Sequence, residues 1–149
     1  MGFTVEDAVR IARDAHQGQV DKSGSPYIGH PLRVMDRVEG EYARMAAVLH
    51  DVIEDTPVAA ADLRTAGCPA RVVDAVVALS KRPGEPQPDY LARVAADEIA
   101  LIVKRADIAD NMSPHRMARL DPATRNRLRT KYTEALAFLD AATAPRSVG

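Results

Sequence analysis

The sequence predicts an all-α protein, a helical bundle of about eight or nine helices. Three observations carry that reading. Apolar residues recur at i, i+3, i+4 spacing through most of the chain. Cap residues and Gly or Pro stops bound those segments. No stretch alternates apolar and polar residues as a half-buried strand would.

Thr4 caps the first helix, with Asp7 at its third position, and Val5, Ala8, Val9, Ala12 and Ala15 repeat at helical spacing through His16. Gly18, Gly24, Pro26, Gly29 and Pro31 then mark an ordered loop. Pro31 suits the first turn of a second helix with Leu32, Val34, Met35 and Val38 as its apolar face, and Gly40 ends it. A third helix is expected from about Glu41 to Glu54. A short one, Asp62 to Ala66, stops at Gly67. Pro69 starts a Val-rich segment with Val72, Val73, Val76, Val77 and Leu79 apolar; its spacing favours helix over strand. Pro83 to Pro88 is a Pro-rich loop. Tyr90 to Ala96 and Glu98 to Asp110 follow as helices, and Pro114 and Pro122 bracket a short one. Asp121 caps a long last helix, near Ala123 to Ala141, with Leu128, Tyr132, Leu136 and Leu139 on one face. Fraying is expected after Ala144.

At 149 residues, one domain spanning 1–149 is expected. Aromatics are only 4% of the chain and Trp is absent, so Ala, Val, Leu, Ile and Met must build the core. A net charge of -1 argues against a nucleic-acid binder working through a broad basic surface. No apolar run approaches the roughly 20 residues of a membrane span, and the N-terminus lacks the regions of a signal peptide. Cytoplasm is the expected compartment, with no membrane partner. The Val-rich helix is either core or a subunit contact, so an oligomer is compatible with the sequence. Cys68, in Ala66-Gly67-Cys68-Pro69, has no metal-type Cys partner and reads as a small packing residue.

Chemistry concentrates in Ala46-Ala-Val-Leu-His-Asp-Val-Ile-Glu-Asp-Thr56. On one helix, His50 and Glu54 would be i,i+4 neighbours, and so would Asp51 and Asp55. Burying an imidazole and three carboxylates beside Val48, Leu49, Val52 and Ile53 costs several kcal/mol unless a cation or protons compensate. A metal site is the simplest remedy. His30 stands before Pro31 at a loop-to-helix junction, Asp107 and Asn111 lie i,i+4, and Lys22 sits in the Gly-rich loop. Each alone has an ordinary explanation as a cap, a hydrogen-bonded surface residue or a solvated charge.

Together these segments resemble the metal-dependent phosphohydrolases of the HD superfamily. The match is closest to the alarmone hydrolases: the hydrolase domains of RelA/SpoT-type proteins and their stand-alone small relatives. Ala15-His-Gln-Gly-Gln19, Lys22-Ser-Gly-Ser-Pro-Tyr-Ile-Gly-His-Pro31, Leu49-His-Asp-Val-Ile-Glu-Asp-Thr56 and Val103-Lys-Arg-Ala-Asp-Ile-Ala-Asp-Asn111 carry the resemblance. It implies an all-α fold holding one Mn²⁺ through His30, His50, Asp51 and Asp107. Two imidazoles and two carboxylates suit a divalent transition ion. By the same resemblance, Glu54 and Asp55 orient or deprotonate the attacking water, Glu54 more directly. Lys22, Ser23 and Asn111 face the nucleotide, Tyr27 either walls the base pocket or packs the loop, and His16 is a packing histidine rather than a ligand. Most of Arg116, Arg119, Arg125, Arg127, Arg129 and Lys131 is expected to be a solvated face.

The implied reaction removes the 3′-pyrophosphate of guanosine 3′,5′-bis(diphosphate) or the pentaphosphate, giving GDP or GTP. One departure from the pattern bears on the substrate. Asp21 stands where RelA/SpoT hydrolase domains usually carry an Arg that lies against the guanine, and Asp21 is expected to repel a nearby phosphate. The alternative is therefore hydrolysis of another phosphorylated nucleotide, such as NADPH. A non-catalytic nucleotide sensor is a third reading, which no missing site residue motivates. No synthetase segment follows the last helix, so a stand-alone hydrolase is expected.

Overall fold

The computed structural model describes residues 2–145. Among these, ten helices follow one another and no strand forms: α1 (Val5–Ala15), α2 (Gly29–Asp36), α3 (Glu41–Leu49), α4 (Val52–Asp55), α5 (Ala60–Thr65), α6 (Ala70–Ala78), α7 (Gln87–Ala95), α8 (Glu98–Asn111), α9 (Pro114–Met117) and α10 (Pro122–Thr143). Among the described residues, one bridge of β type joins Val20 to Pro26 inside the loop between α1 and α2. The all-α expectation is met. The fraying expected after Ala144 falls almost wholly on residues outside those described.

The helix ends follow their cap chemistry. Thr4 and Asp7 exchange bonds as a capping box at α1, so two otherwise unpaired backbone donors are satisfied. Asp97 accepts from the Ala100 amide at α8, and Asp121 from the Thr124 amide at α10. α7 begins at Gln87, earlier than the apolar pattern suggested, because Pro88 lies in its first turn, where its missing N–H costs nothing.

The helix expected from Glu41 to Glu54 is broken. α3 ends at Leu49, His50 is its C-cap, and Asp51, at φ -103° and ψ 0°, is the N-cap of α4. The cause is local. The His50 ring Nδ1 bonds the Ala47 carbonyl at 2.6 Å, and the His50 amide lies 3.4 Å from that same oxygen. The chain thus tightens to i→i−3 contact at the point where a continuous helix needs i→i−4.

α3 is the central element. Ala43, Met45, Ala46, Ala47, Val48 and Leu49 are all buried, and α1, α2, α6 and α8 pack around it. Ala8 and Ala12 of α1 are fully buried, their small side chains permitting close approach. The Val-rich segment is core: Val72, Val73, Ala75 and Val76 have no exposed surface. Each fully buried Val or Leu contributes roughly 1.5–3 kcal/mol by leaving water. α10 packs on α7 and α8 through Leu139 and its neighbours. This arrangement brings the start of α2, the α3–α4 break and the middle of α8 to one place.

Candidate metal centre

His30 lies in the first turn of α2, His50 caps α3, Asp51 opens α4 and Asp107 projects from α8. His30 Nε2 is 2.7 Å from Asp107 Oδ1, and His50 Nε2 is 3.3 Å from the same oxygen. His50 Nε2 also lies 3.0 Å from Asp51 Oδ2. His30, His50 and Asp107 are buried and bring one ligand atom each within 4.8 Å of one another. Asp51 joins them through His50, and with Glu54 and Asp55 forms an adjoining acidic group.

The proton positions suit a cation. His50 Nδ1 must donate to the Ala47 carbonyl, since a carbonyl only accepts. The neutral ring then presents a lone pair at Nε2. That nitrogen is buried without a hydrogen-bond partner, although two carboxylate oxygens lie within 3.3 Å. His30 repeats the arrangement: Nδ1 meets Asp110 Oδ2 at 2.6 Å, and Nε2 points at Asp107. Lone pairs aimed at carboxylate oxygens repel unless a proton or a metal ion lies between them. Two imidazole nitrogens and two carboxylates, each imidazole oriented from behind, form a donor set that fits a divalent metal.

The same carboxylates that would favour a cation also favour a proton on His50. Burial opposes charge on the His50 ring, but Asp51 and Asp107 outweigh it and hold its pKa well above the ordinary value. Burial likewise works against the Asp107 carboxylate, but Lys104, then His30 and His50, pull its pKa well down. Lys104 Nζ sits 3.1 Å from Asp107 Oδ2. Burial raises Asp110 as well, yet its bonds to His30 and Arg33 bring it down to about 2. Asp107 and Asp110 are therefore acceptors at neutral pH.

Glu54 and Asp55 are exposed at the rim. Glu54 Oε1 accepts the Lys81 amide at 2.7 Å, which fixes one carboxylate oxygen and leaves the other free of protein partners. Burial raises the pKa of both carboxylates, and Asp51 adds to the effect. Tyr27 does more than pack the loop: its hydroxyl donates to Asp51 Oδ2, fixing that carboxylate. His16 bonds Gln19 through Nδ1 at 2.8 Å and lies against Tyr27 with the rings tilted by 52° and centroids 5.0 Å apart. It does not line the pocket.

Beside these groups opens a cavity of about 480 Å³, a size suited to a small-molecule ligand. Lys22, Lys81, Lys104, Lys131, Asn111 and Tyr132 are among its walls. Ser23 lines it too, but its amide and hydroxyl both bond Asp21 Oδ1, at 2.9 and 2.8 Å. Asn111 is tied at both ends, to Asp107 through Nδ2 and to Arg116 through Oδ1. Asp21 lines the pocket, and its pKa is lowered: burial opposes the charge, but hydrogen bonds from Ser23 and Ser25 and the nearby Arg116 outweigh it. Its Oδ1 accepts from Ser23 and from the Ser25 amide, and its Oδ2 lies 3.7 Å from Arg116 Nη2. Gly24, at φ 86°, makes that turn possible. Of the basic residues on the last helices, Arg116 and Lys131 reach the pocket, while Arg127 and Arg129 are exposed and line none of it.

Sequence reasoning missed Lys104 and Asp110. The signal was present, since both stand three positions from Asp107 and so share its helical face. Lys81 and Arg116 carried no such mark.

No family model matches the chain. It is 34% identical over 138 residues to the guanosine-3′,5′-bis(diphosphate) 3′-pyrophosphohydrolase of Haemophilus influenzae, over 83% of this chain and 20% of that one. It is 33% identical over 144 residues to the bifunctional (p)ppGpp synthase/hydrolase SpoT of Escherichia coli, over 87% of this chain and 20% of that one. This chain spans about a fifth of the length of these curated relatives. Its fold matches a metazoan ortholog of SpoT, described as hydrolysing ppGpp, with a TM-score of 0.77 and 21% identity over 94% of this chain and 87% of that one. That likeness shows the fold, an all-α helical bundle, and the site within it is a His/Asp group able to hold a metal ion. By sequence, the chain is similar to one segment of these (p)ppGpp hydrolases. Among the described residues, no helix is long and apolar enough to cross a membrane.

Proposed function

We propose that the chain is a Mn²⁺-dependent hydrolase that removes the 3′-pyrophosphate of guanosine 3′,5′-bis(diphosphate) and of the pentaphosphate, releasing pyrophosphate and GDP or GTP. The observation that carries this reading is the convergence of His30 Nε2 and His50 Nε2 on Asp107, with Asp51 alongside, at the edge of a lysine-walled pocket. His30, His50, Asp51 and Asp107 would hold the ion. When bound, a divalent metal lowers the pKa of water and offsets charge on the attacked phosphoryl group.

The chain's own residues supply the rest. Glu54, held through Oε1 by the Lys81 amide, accepts a proton from the attacking water at its free oxygen. The water oxygen bonds to phosphorus, the bond from phosphorus to the 3′ oxygen breaks, and that oxygen takes a proton from solvent while Glu54 returns its own to solvent. Asp55 helps orient the water. Lys22, Lys81 and Lys131 offer cationic partners for the polyphosphate. Asn111 and the loop carrying Lys22 and Ser23 meet the nucleotide.

Purified protein loaded with Mn²⁺ is expected to release pyrophosphate from guanosine 3′,5′-bis(diphosphate). With bound metal confirmed, no release would overturn the proposal. Preferential release of inorganic phosphate from NADPH in the same panel would replace the substrate and keep the enzyme class.

A further inference from the structure

We propose that Asp110 is the positioning residue for His30, fixing the ring so that Nε2 faces Asp107. This rests on the reading of His30 as a metal ligand. Asp110 is only 1% exposed and sits on the far side of the His30 ring from Asp107. Its Oδ2 takes His30 Nδ1 at 2.6 Å, and its Oδ1 takes Arg33 Nε at 2.9 Å. Arg116 Nη1 reaches Oδ2 at 3.1 Å. Arg116 Nη1 also lies 3.1 Å from His30 Nδ1. An ionised carboxylate can only accept, so the shorter contact assigns the proton to Nδ1, and the Arg116 approach to that nitrogen is proximity without a bond. Nδ1 protonated leaves Nε2 as the lone pair.

The carboxylate is itself held. Arg33 comes from the same helix as His30, and Arg116 from α9. Asp110 accepts from Arg33 Nε and from Arg116 Nη1, so its charge partly offsets both guanidinium groups beside the ring. Arg116 also bonds Asn111 and pairs with Asp21 in the Gly-rich loop. One buried carboxylate therefore orients a candidate ligand, partly offsets the cations beside it and ties that ligand to the nucleotide side of the pocket.

The test compares Asp110→Asn with Asp110→Ala, reading Mn²⁺ affinity by calorimetry and the melting temperature without metal. Asn can still present its carbonyl oxygen at the Oδ2 position, where two donors favour it, but carries no charge. Ala removes both the charge and the acceptor. Loss of an orienting partner weakens metal binding by roughly 10–100-fold. That loss is expected for Asp110→Ala, with a clearly smaller one for Asp110→Asn. Asp110→Ser stands in for the alanine variant if the latter does not fold. Equal losses in the two variants would assign the effect to charge alone and overturn the orienting role. Lowered melting temperatures with affinity within twofold of wild type would make Asp110 merely an anchor for Arg33 and Arg116, and would overturn it equally. If the wild-type protein binds no divalent metal, the underlying metal reading fails. Wild-type binding with unchanged variants sinks this inference alone.

Discussion

His50 and Asp107 come from different helices and meet at 3.3 Å, Nε2 against Oδ1, in a buried setting where the nitrogen has no hydrogen-bond partner. Such a contact is stable only with a proton or a cation between the two atoms. His50→Ala or Asp51→Ala is therefore expected to abolish both divalent-metal binding and pyrophosphate release. A ligand that binds only the folded state raises the melting temperature. Mn²⁺ should do so in the wild type and fail to do so in either variant, as read by differential scanning calorimetry.

Glu54 is predicted to act separately from the metal. Glu54→Ala should bind Mn²⁺ as the wild type does and lose activity by about 10²–10⁴-fold, the usual worth of a positioned acid or base. Burial raises its pKa. A base must be unprotonated, so turnover should fall as pH drops through a midpoint above the ordinary glutamate range, not within it. A kcat profile against pH checks this, and retention of that acid limb in a slow Glu54→Gln variant would assign it to another group.

Neighbouring positions on α10 should behave in opposite ways. Leu139 has no exposed surface, so Leu139→Ala should destabilise the fold by about 2–5 kcal/mol. Asp140 pairs with Arg105 at 2.7 Å, but both side chains are exposed. Asp140→Ala should cost less than about 1 kcal/mol, because solvent screens such pairs. Urea denaturation of both variants makes the comparison.

Cys68 should be inert. It is buried, and burial pushes its thiol up to about 11, so almost no thiolate exists at neutral pH. A chromogenic disulfide reagent should react with it only after denaturant is added. Rapid labelling of the native protein would contradict its packing.

Much of the fold was legible because helix signals are local. The i, i+3, i+4 pattern of Val72, Val73 and Val76 reports a face that must leave water, and all three are fully buried. Thr4 and Asp121 mark helix starts because a short side-chain oxygen reaches nearby amides. The break at His50 was not legible. It depends on which carbonyl the imidazole finds, and the apolar pattern runs through it undisturbed.

The site divides in the same way. The family resemblance carried by four short segments singled out His30, His50, Asp51 and Asp107 as donors and Glu54 and Asp55 as an acidic pair. Side-chain chemistry travels with the residue, and four short segments in order are specific. Tertiary structure decided what faces what: that Asp110 backs His30, that Tyr27 holds Asp51, that the Lys81 amide fixes Glu54, and that Arg116 approaches Asp21. These partners lie far apart in the chain, on elements whose relative placement follows from packing around α3. No local pattern encodes the distance between two side chains on separate helices; only the burial of the core that joins them sets it.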